Sequence, residues 1–222
     1  MSHLREACLL TFGFSAFLKL LSLNEKPQKT EIRKRSSPSA GGGYDYHRSF
    51  RLQARQYLAG DATMAEVLAS AEKITRASER LSALSALGRL EVWRTAHPGK
   101  IVPVPSTIFE SPGRLFKVKF EADFGLLTDR GTVAIHIWNT MKPALAAGPT
   151  YAAMTLVAGA FENHDGAPGD IGVLSMREPP RLYRLSDIAD QSALAAAMVD
   201  RLEEAIRGTT PPAPPPEPRP PL

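Results

Sequence analysis

Apolar and polar positions alternate most cleanly over Phe116–Phe124. Phe116, Val118, Phe120, Ala122 and Phe124 share one face, and Lys117, Lys119, Glu121 and Asp123 share the other. A period of two belongs to a half-buried strand, because successive strand side chains point to opposite faces. Thr128-Asp129-Arg130-Gly131 reads as a turn. Beyond it, TVAIHIWNT puts Val133, Ile135 and Ile137 on one face and Ala134, His136 and Trp138 on the other. Two strands joined this way are predicted to pair as an antiparallel hairpin.

Helical patterns flank this hairpin. Thr63 and Glu66 form a T-x-x-E capping box that starts a helix near Met64. Leu81, Leu84, Leu87, Leu90 and Trp93, with Ala77 and Val92 beside them, predict one or two helices ending before Pro98-Gly99. Charges at Glu79 and Glu91 are expected to face solvent. Prolines 103, 105 and 112 confine any strand in Ile101–Glu110 to a short or edge position. Pro149 opens a slim, alanine-rich helix over Tyr151–Phe161. DIGVLSMR and RLYRLS predict two strands around Pro179-Pro180. Asp187–Arg207 predicts a last helix with Ile188, Leu194, Met198, Leu202 and Ile206 on one stripe and Gly208 as its stop. The order implies an α/β fold: a central mixed sheet of about four to five strands flanked by helices.

Composition divides the chain into three parts. Residues 1–60 are an apolar N-terminal segment followed by a basic linker, 61–208 a single α/β domain, and 209–222 a proline-rich tail expected to be extended and unpacked. Asn24–Gly43 is polar and reads as a disordered linker. Tyr44–Gly60 reads as a short basic amphipathic stretch. The net charge of +4 is uneven: residues 1–60 carry +6 and residues 61–208 carry −2. The basic footprint of a nucleic-acid-binding domain is therefore not expected in the domain's bulk charge, although a local patch is compatible with it.

The segment Ala7–Leu23 is mostly apolar, is interrupted by Lys19, and is at the lower limit of a membrane span. Three readings stand side by side. It is an interfacial or anchoring helix giving peripheral membrane contact through residues 7–23, a weak signal sequence, or translated sequence upstream of a shorter protein. Cys8 is the single cysteine, which rules out a disulfide or a cysteine zinc site within one chain and suits a reducing, cytoplasmic setting.

Motifs for familiar chemistry are absent: no phosphate loop, no GxGxxG, no GxSxG and no HExxH. Gly41–Tyr44 is glycine-rich but lies in the linker. His97 follows a helix in a turn, and His164, Asp165 and Asp170 share a polar loop. The remaining candidates are Asp123 and His136, as catalytic or metal-binding residues on the hairpin's polar faces.

The element order, with Asp123 on the hairpin, resembles the PD-(D/E)XK nuclease-like superfamily, over roughly residues 81–185. The resemblance implies a restriction-endonuclease-like order and an Asp at the end of one strand, with E-x-K or D-x-K on the next. Carboxylates placed so share a divalent cation that activates water and stabilises charge on phosphate. Asp123 matches the first position. The E-x-K positions fall on His136 and Trp138, and a one-residue shift to Ile137 and Asn139 restores neither group. His136 remains a candidate metal ligand beside Asp123, and Lys142 a displaced lysine. Trp138 suits packing.

The sequence therefore favours a catalytically impaired nuclease-like fold acting as a binding module, with no cofactor and a protein or nucleic-acid partner. A metal-dependent phosphodiesterase or nuclease with a rearranged site, using Mg or Mn, is the alternative. A membrane-associated interaction protein is the third reading.

Overall fold

A computed structural model of the chain describes residues 9–36, 46–162 and 164–209. In chain order the elements are β1 (Leu10–Gly13), α1 (Phe14–Leu21), α2 (Glu25–Ser36), α3 (Arg48–Ala59), α4 (Met64–Glu72) and α5 (Ala77–Ala96). Then follow β2 (Lys100–Val102), β3 (Thr107–Glu110), β4 (Phe116–Phe120), β5 (Phe124–Thr128), β6 (Gly131–Trp138), α6 (Ala147–Phe161), β7 (Asp170–Ser175), β8 (Arg181–Arg184) and α7 (Ser192–Arg207). The fold is α/β, with two mixed sheets flanked by helices: a five-stranded sheet in the order β2-β5-β6-β7-β8 and a three-stranded one in the order β1-β4-β3.

Strand β6 is the axis of the larger sheet. It pairs antiparallel with β5 and parallel with β7. Burial on both faces suits such a strand. Val133, Ile135 and Ile137 join one core with Leu87, Leu90 and Trp93 of α5 and Phe50 of α3. Ala134 and Trp138 join a second core with α1, α6, α7 and the smaller sheet. Trp138 is 1% exposed, so it is a packing residue.

The alternating segment is not one strand. Phe116, Val118 and Phe120 belong to the second core and Phe124 to the first. The chain leaves one sheet and enters the other across Glu121-Ala122-Asp123. Alternation alone cannot register that crossing, because both halves keep a period of two. The hairpin survives as β5–β6, closed at Thr128↔Gly131. At Gly125 a side chain has no room: a Cβ would stand 2.8 Å from the Val102 carbonyl oxygen on the neighbouring strand.

Several boundaries follow the sequence closely. The capping box at Thr63 and Glu66 is formed, with the Thr63 hydroxyl accepting from the Glu66 amide. β2 and β3 are short edge strands separated by prolines 103 and 105. The stripe on α5 differs. Leu81 is 67% exposed and Val92 69%, while Ala83, Ala86, Leu87, Leu90 and Trp93 are buried. A repeat of three lags the helix by about 60° at each step, so it winds off any single face. Glu79 is buried rather than solvated and accepts from the Ser49 hydroxyl at 2.9 Å.

The N-terminal apolar segment packs inward. Phe12, Phe14, Phe17, Leu18, Leu20 and Leu21 are all buried in the protein's own core. β1 pairs parallel with β4 in full register. From Phe12 to Leu21 the apolar side chains of this stretch therefore face the protein's interior, and residues 7 and 8 lie outside the described residues. Among the described residues, no helix is long and apolar enough to cross a membrane. The linker reading also changes. Residues 25–36 form α2, with Ile32 fully buried and Gln28 donating to the Leu20 carbonyl at 2.9 Å. Packing therefore extends N-terminal to residue 61: residues 10–36 contribute to the second core and residues 48–59 to the first. Gly41–Tyr44 and the tail from residue 210 lie outside the described residues.

Candidate functional site

The crossing between the sheets builds the site. The Asp123 amide donates to the Ile135 carbonyl at 2.8 Å, and Asp123 Oδ2 accepts the Ile137 amide at 2.8 Å. Two backbone bonds to β6 thus fix the carboxylate beside His136, which lies between those two residues. His136 Nδ1 stands 3.3 Å from Asp123 Oδ2, and both side chains are nearly fully buried. The two residues singled out from the sequence are therefore in contact.

Two further residues complete the cluster, and neither was singled out from the sequence. Arg55 of α3 places Nη2 3.2 Å from Asp123 Oδ1. Ser15, in the first turn of α1, places its hydroxyl 2.7 Å from His136 Nε2. Phe14 sets its ring edge-on to the imidazole at 5.2 Å. Asp123 Oδ1 has no aligned hydrogen bond, so the guanidinium charge is its partner. Burial pushes the Asp123 carboxyl up and is the largest single influence. The His136 imidazole, the Ile137 amide and the Arg55 guanidinium together outweigh it and hold the carboxyl below its ordinary value.

A divalent cation does not fit these residues well. Nuclease metals want several hard oxygen ligands. Among the described residues, no group of three His, Cys, Asp or Glu side chains is placed to hold a metal. Asp123 already faces a guanidinium, and His136 Nε2 is engaged by Ser15.

His136 opens onto a cleft of about 1010 Å³. The described lining includes Lys19, Arg35, Arg48, Arg51, Arg55, Lys119 and Lys142, against one carboxylate, Glu121. Five of those seven cations come from the first 60 residues. Half of the ten cations that the sequence places in residues 1–60 therefore line the cleft. Some of it is balanced: Lys19 pairs with Glu31 at 3.3 Å, and Lys119 with Glu121 at 3.2 Å. Tyr46 and His47 also line the cleft, their rings packed edge to face at 4.9 Å.

The other sequence candidates take local partners. His97 stacks on Trp93 at 4.6 Å, with Nδ1 2.8 Å from the Trp93 carbonyl oxygen. Asp170 pairs with Arg184 at 2.9 Å and accepts from the Ser186 hydroxyl.

No family model matches the chain, and no curated protein matches it. Among solved structures, the crystal structure of SSO0001 is similar at 16% sequence identity, over 86% of this chain and 85% of that one, with a TM-score of 0.35. A likeness of that size carries no argument about function.

Proposed function

We propose that the domain is a binding module of nuclease-like descent whose basic cleft holds the phosphate backbone of a nucleic-acid strand without using a metal ion. The excess of cations lining the cleft carries this reading. A row of Lys and Arg around a concave wall attracts phosphates and releases their counterions. Tyr46 and His47 at the same cleft offer flat faces for unstacked bases, which favours a single strand. The replacement of E-x-K by His136 and Trp138, with Arg55 at the Asp123 carboxylate, supports binding over metal-assisted cleavage.

Fluorescence anisotropy of a labelled single-stranded oligonucleotide with the full chain, in EDTA and over a series of salt concentrations, tests it. Affinity should fall steeply with salt, with a log–log slope of roughly −3 if four phosphates are held. Arg48→Glu and Lys142→Glu should each weaken binding and flatten that slope. Binding that ignores salt, or an acidic peptide bound in preference to the oligonucleotide, would sink the proposal.

A further inference from the structure

Ser15, His136 and Asp123 stand in a line of functional groups that polyanion binding does not require. The Ser15 hydroxyl is 2.7 Å from His136 Nε2, and His136 Nδ1 is 3.3 Å from Asp123 Oδ2. The imidazole and carboxylate are buried, whereas Ser15 is half-buried and lines the cleft. A nucleophile on the open side, a base behind it and a carboxylate behind the base is the arrangement by which serine hydrolases activate a hydroxyl, on whatever fold it occurs. With the imidazole proton on Nδ1, facing the carboxylate, Nε2 is free to accept from the Ser15 hydroxyl. The Asp123 contact is at ion-pair distance without hydrogen-bond alignment, and Nδ1 has no aligned acceptor; catalysis requires it to align when substrate binds, as catalytic contacts in unliganded enzymes often do.

The surroundings suit the role. β1 runs directly into α1, and Ser15 sits in the first helical turn, where amides have no intrahelical acceptor. Gly13, the N-cap, supplies no side-chain hydrogen bond to that turn. These amides are the donors nearest in sequence to the nucleophile for a developing oxyanion. Asp123 is itself fixed by the Ile137 amide and faced by Arg55.

We propose that Ser15 is the nucleophile of a hydrolytic site for anionic carboxylic esters, with His136 as its base and Asp123 positioning the imidazole. The substrate class rests on the anion-binding reading of the cleft; the chemistry rests on the three-residue geometry alone. Ser15 Oγ forms a bond to the acyl carbon while its proton passes to His136 Nε2. The carbon–oxygen bond to the leaving alcohol breaks, and that oxygen takes the proton from Nε2. Water then attacks the acyl-Ser15 ester and gives a proton to Nε2. The bond to Oγ breaks, Oγ is reprotonated from Nε2, and the carboxylic acid leaves. One water is consumed and no oxidant or reductant is needed.

The test is active-site labelling of the full chain with an alkyl fluorophosphonate, read by intact mass and peptide mapping, together with hydrolysis of 4-nitrophenyl succinate and 4-nitrophenyl acetate. One adduct per chain, on Ser15, is expected, and Ser15→Ala should abolish it. If that variant does not fold, the near-isosteric Ser15→Cys should lose fluorophosphonate labelling and gain iodoacetamide labelling at residue 15. Asp123→Asn should lower kcat on the order of a hundredfold or more, with KM little changed, an asymmetry that a purely structural role would not produce. The succinate should be preferred by about tenfold, a modest electrostatic selection. No adduct at Ser15, or one that persists in Ser15→Ala, overturns the nucleophile. Equal hydrolysis of the two esters overturns the anionic class. Labelling and oligonucleotide binding are separate readouts, so tight binding without labelling rejects this site alone, and labelling without binding rejects the polyanion reading alone.

Discussion

Arg55 Nη2 lies 3.2 Å from Asp123 Oδ1. The carboxylate that a metal nuclease would present to a divalent cation therefore already faces a guanidinium, delivered by α3 from a part of the chain distant in sequence. Asp123 is 1% exposed at its side chain and Arg55 is 41% exposed, so the pair lies at the boundary between core and cleft. Removing the cation strands a buried charge, which costs more than an intact pair contributes. Arg55→Met should destabilise the fold by about 2 kcal/mol, below the range for fully buried pairs because solvent screens the arginine. Denaturant unfolding measures this. An unchanged midpoint would show that Arg55 does not support Asp123.

Acid should undo the same cluster. The folded Asp123 carboxyl is held below the ordinary carboxylate range. A depressed carboxyl contributes stability that is fully present above the unfolded value and is lost as pH falls through the folded one. Melting temperature should therefore decline below about pH 4, and Asp123→Asn should decline less steeply there. Parallel declines in the two proteins would place the acid sensitivity elsewhere.

Phe17 is fully buried in the core beneath α1. Phe17→Ala should cost about 3–5 kcal/mol, as large-to-small changes at buried aromatics do. Deleting residues 1–23 should yield an unfolded or insoluble product, because β4 would lose its parallel partner β1. Liposome flotation of the intact protein offers the opposing check, since a membrane role for this segment predicts co-flotation that fails on deletion while the remainder stays folded.

At Gly125 the neighbouring strand is too close for a Cβ, which would meet Val102 backbone and the Val104 side chain. Gly125→Ala should destabilise by about 1–3 kcal/mol through overpacking and loosen β2 from β5. Faster hydrogen exchange at residues 100–102 would report the loosening; unchanged exchange would mean that the edge strand simply shifts.

Local chemistry was legible in the sequence where it is self-contained. The Thr63–Glu66 cap, the proline-bounded edge strands and the β5–β6 turn all depend on neighbours within a few residues, and each lies where the pattern places it. The contact of Asp123 with His136 was half legible, because hairpin pairing brings residues on adjacent strands together. Ser15 was not. It meets His136 across 121 positions, from a segment whose hydrophobicity fits a membrane as well as a core. The basic cleft was hidden for a related reason: charge summed over sequence intervals does not reveal that α1 and α3 carry their cations to one concave wall. The split at Glu121–Asp123 was invisible because alternation has the same period in either sheet.

The most direct test of the account is to measure binding and cleavage together on the full chain, with single- and double-stranded DNA and RNA, in EDTA and in Mg²⁺ or Mn²⁺. Salt-sensitive binding retained in EDTA, with no metal-dependent cutting above background, is the expected result. Cutting that requires Mn²⁺ or Mg²⁺ and disappears in Asp123→Ala would contradict it, because Asp123 would then be serving a metal rather than Arg55 and His136.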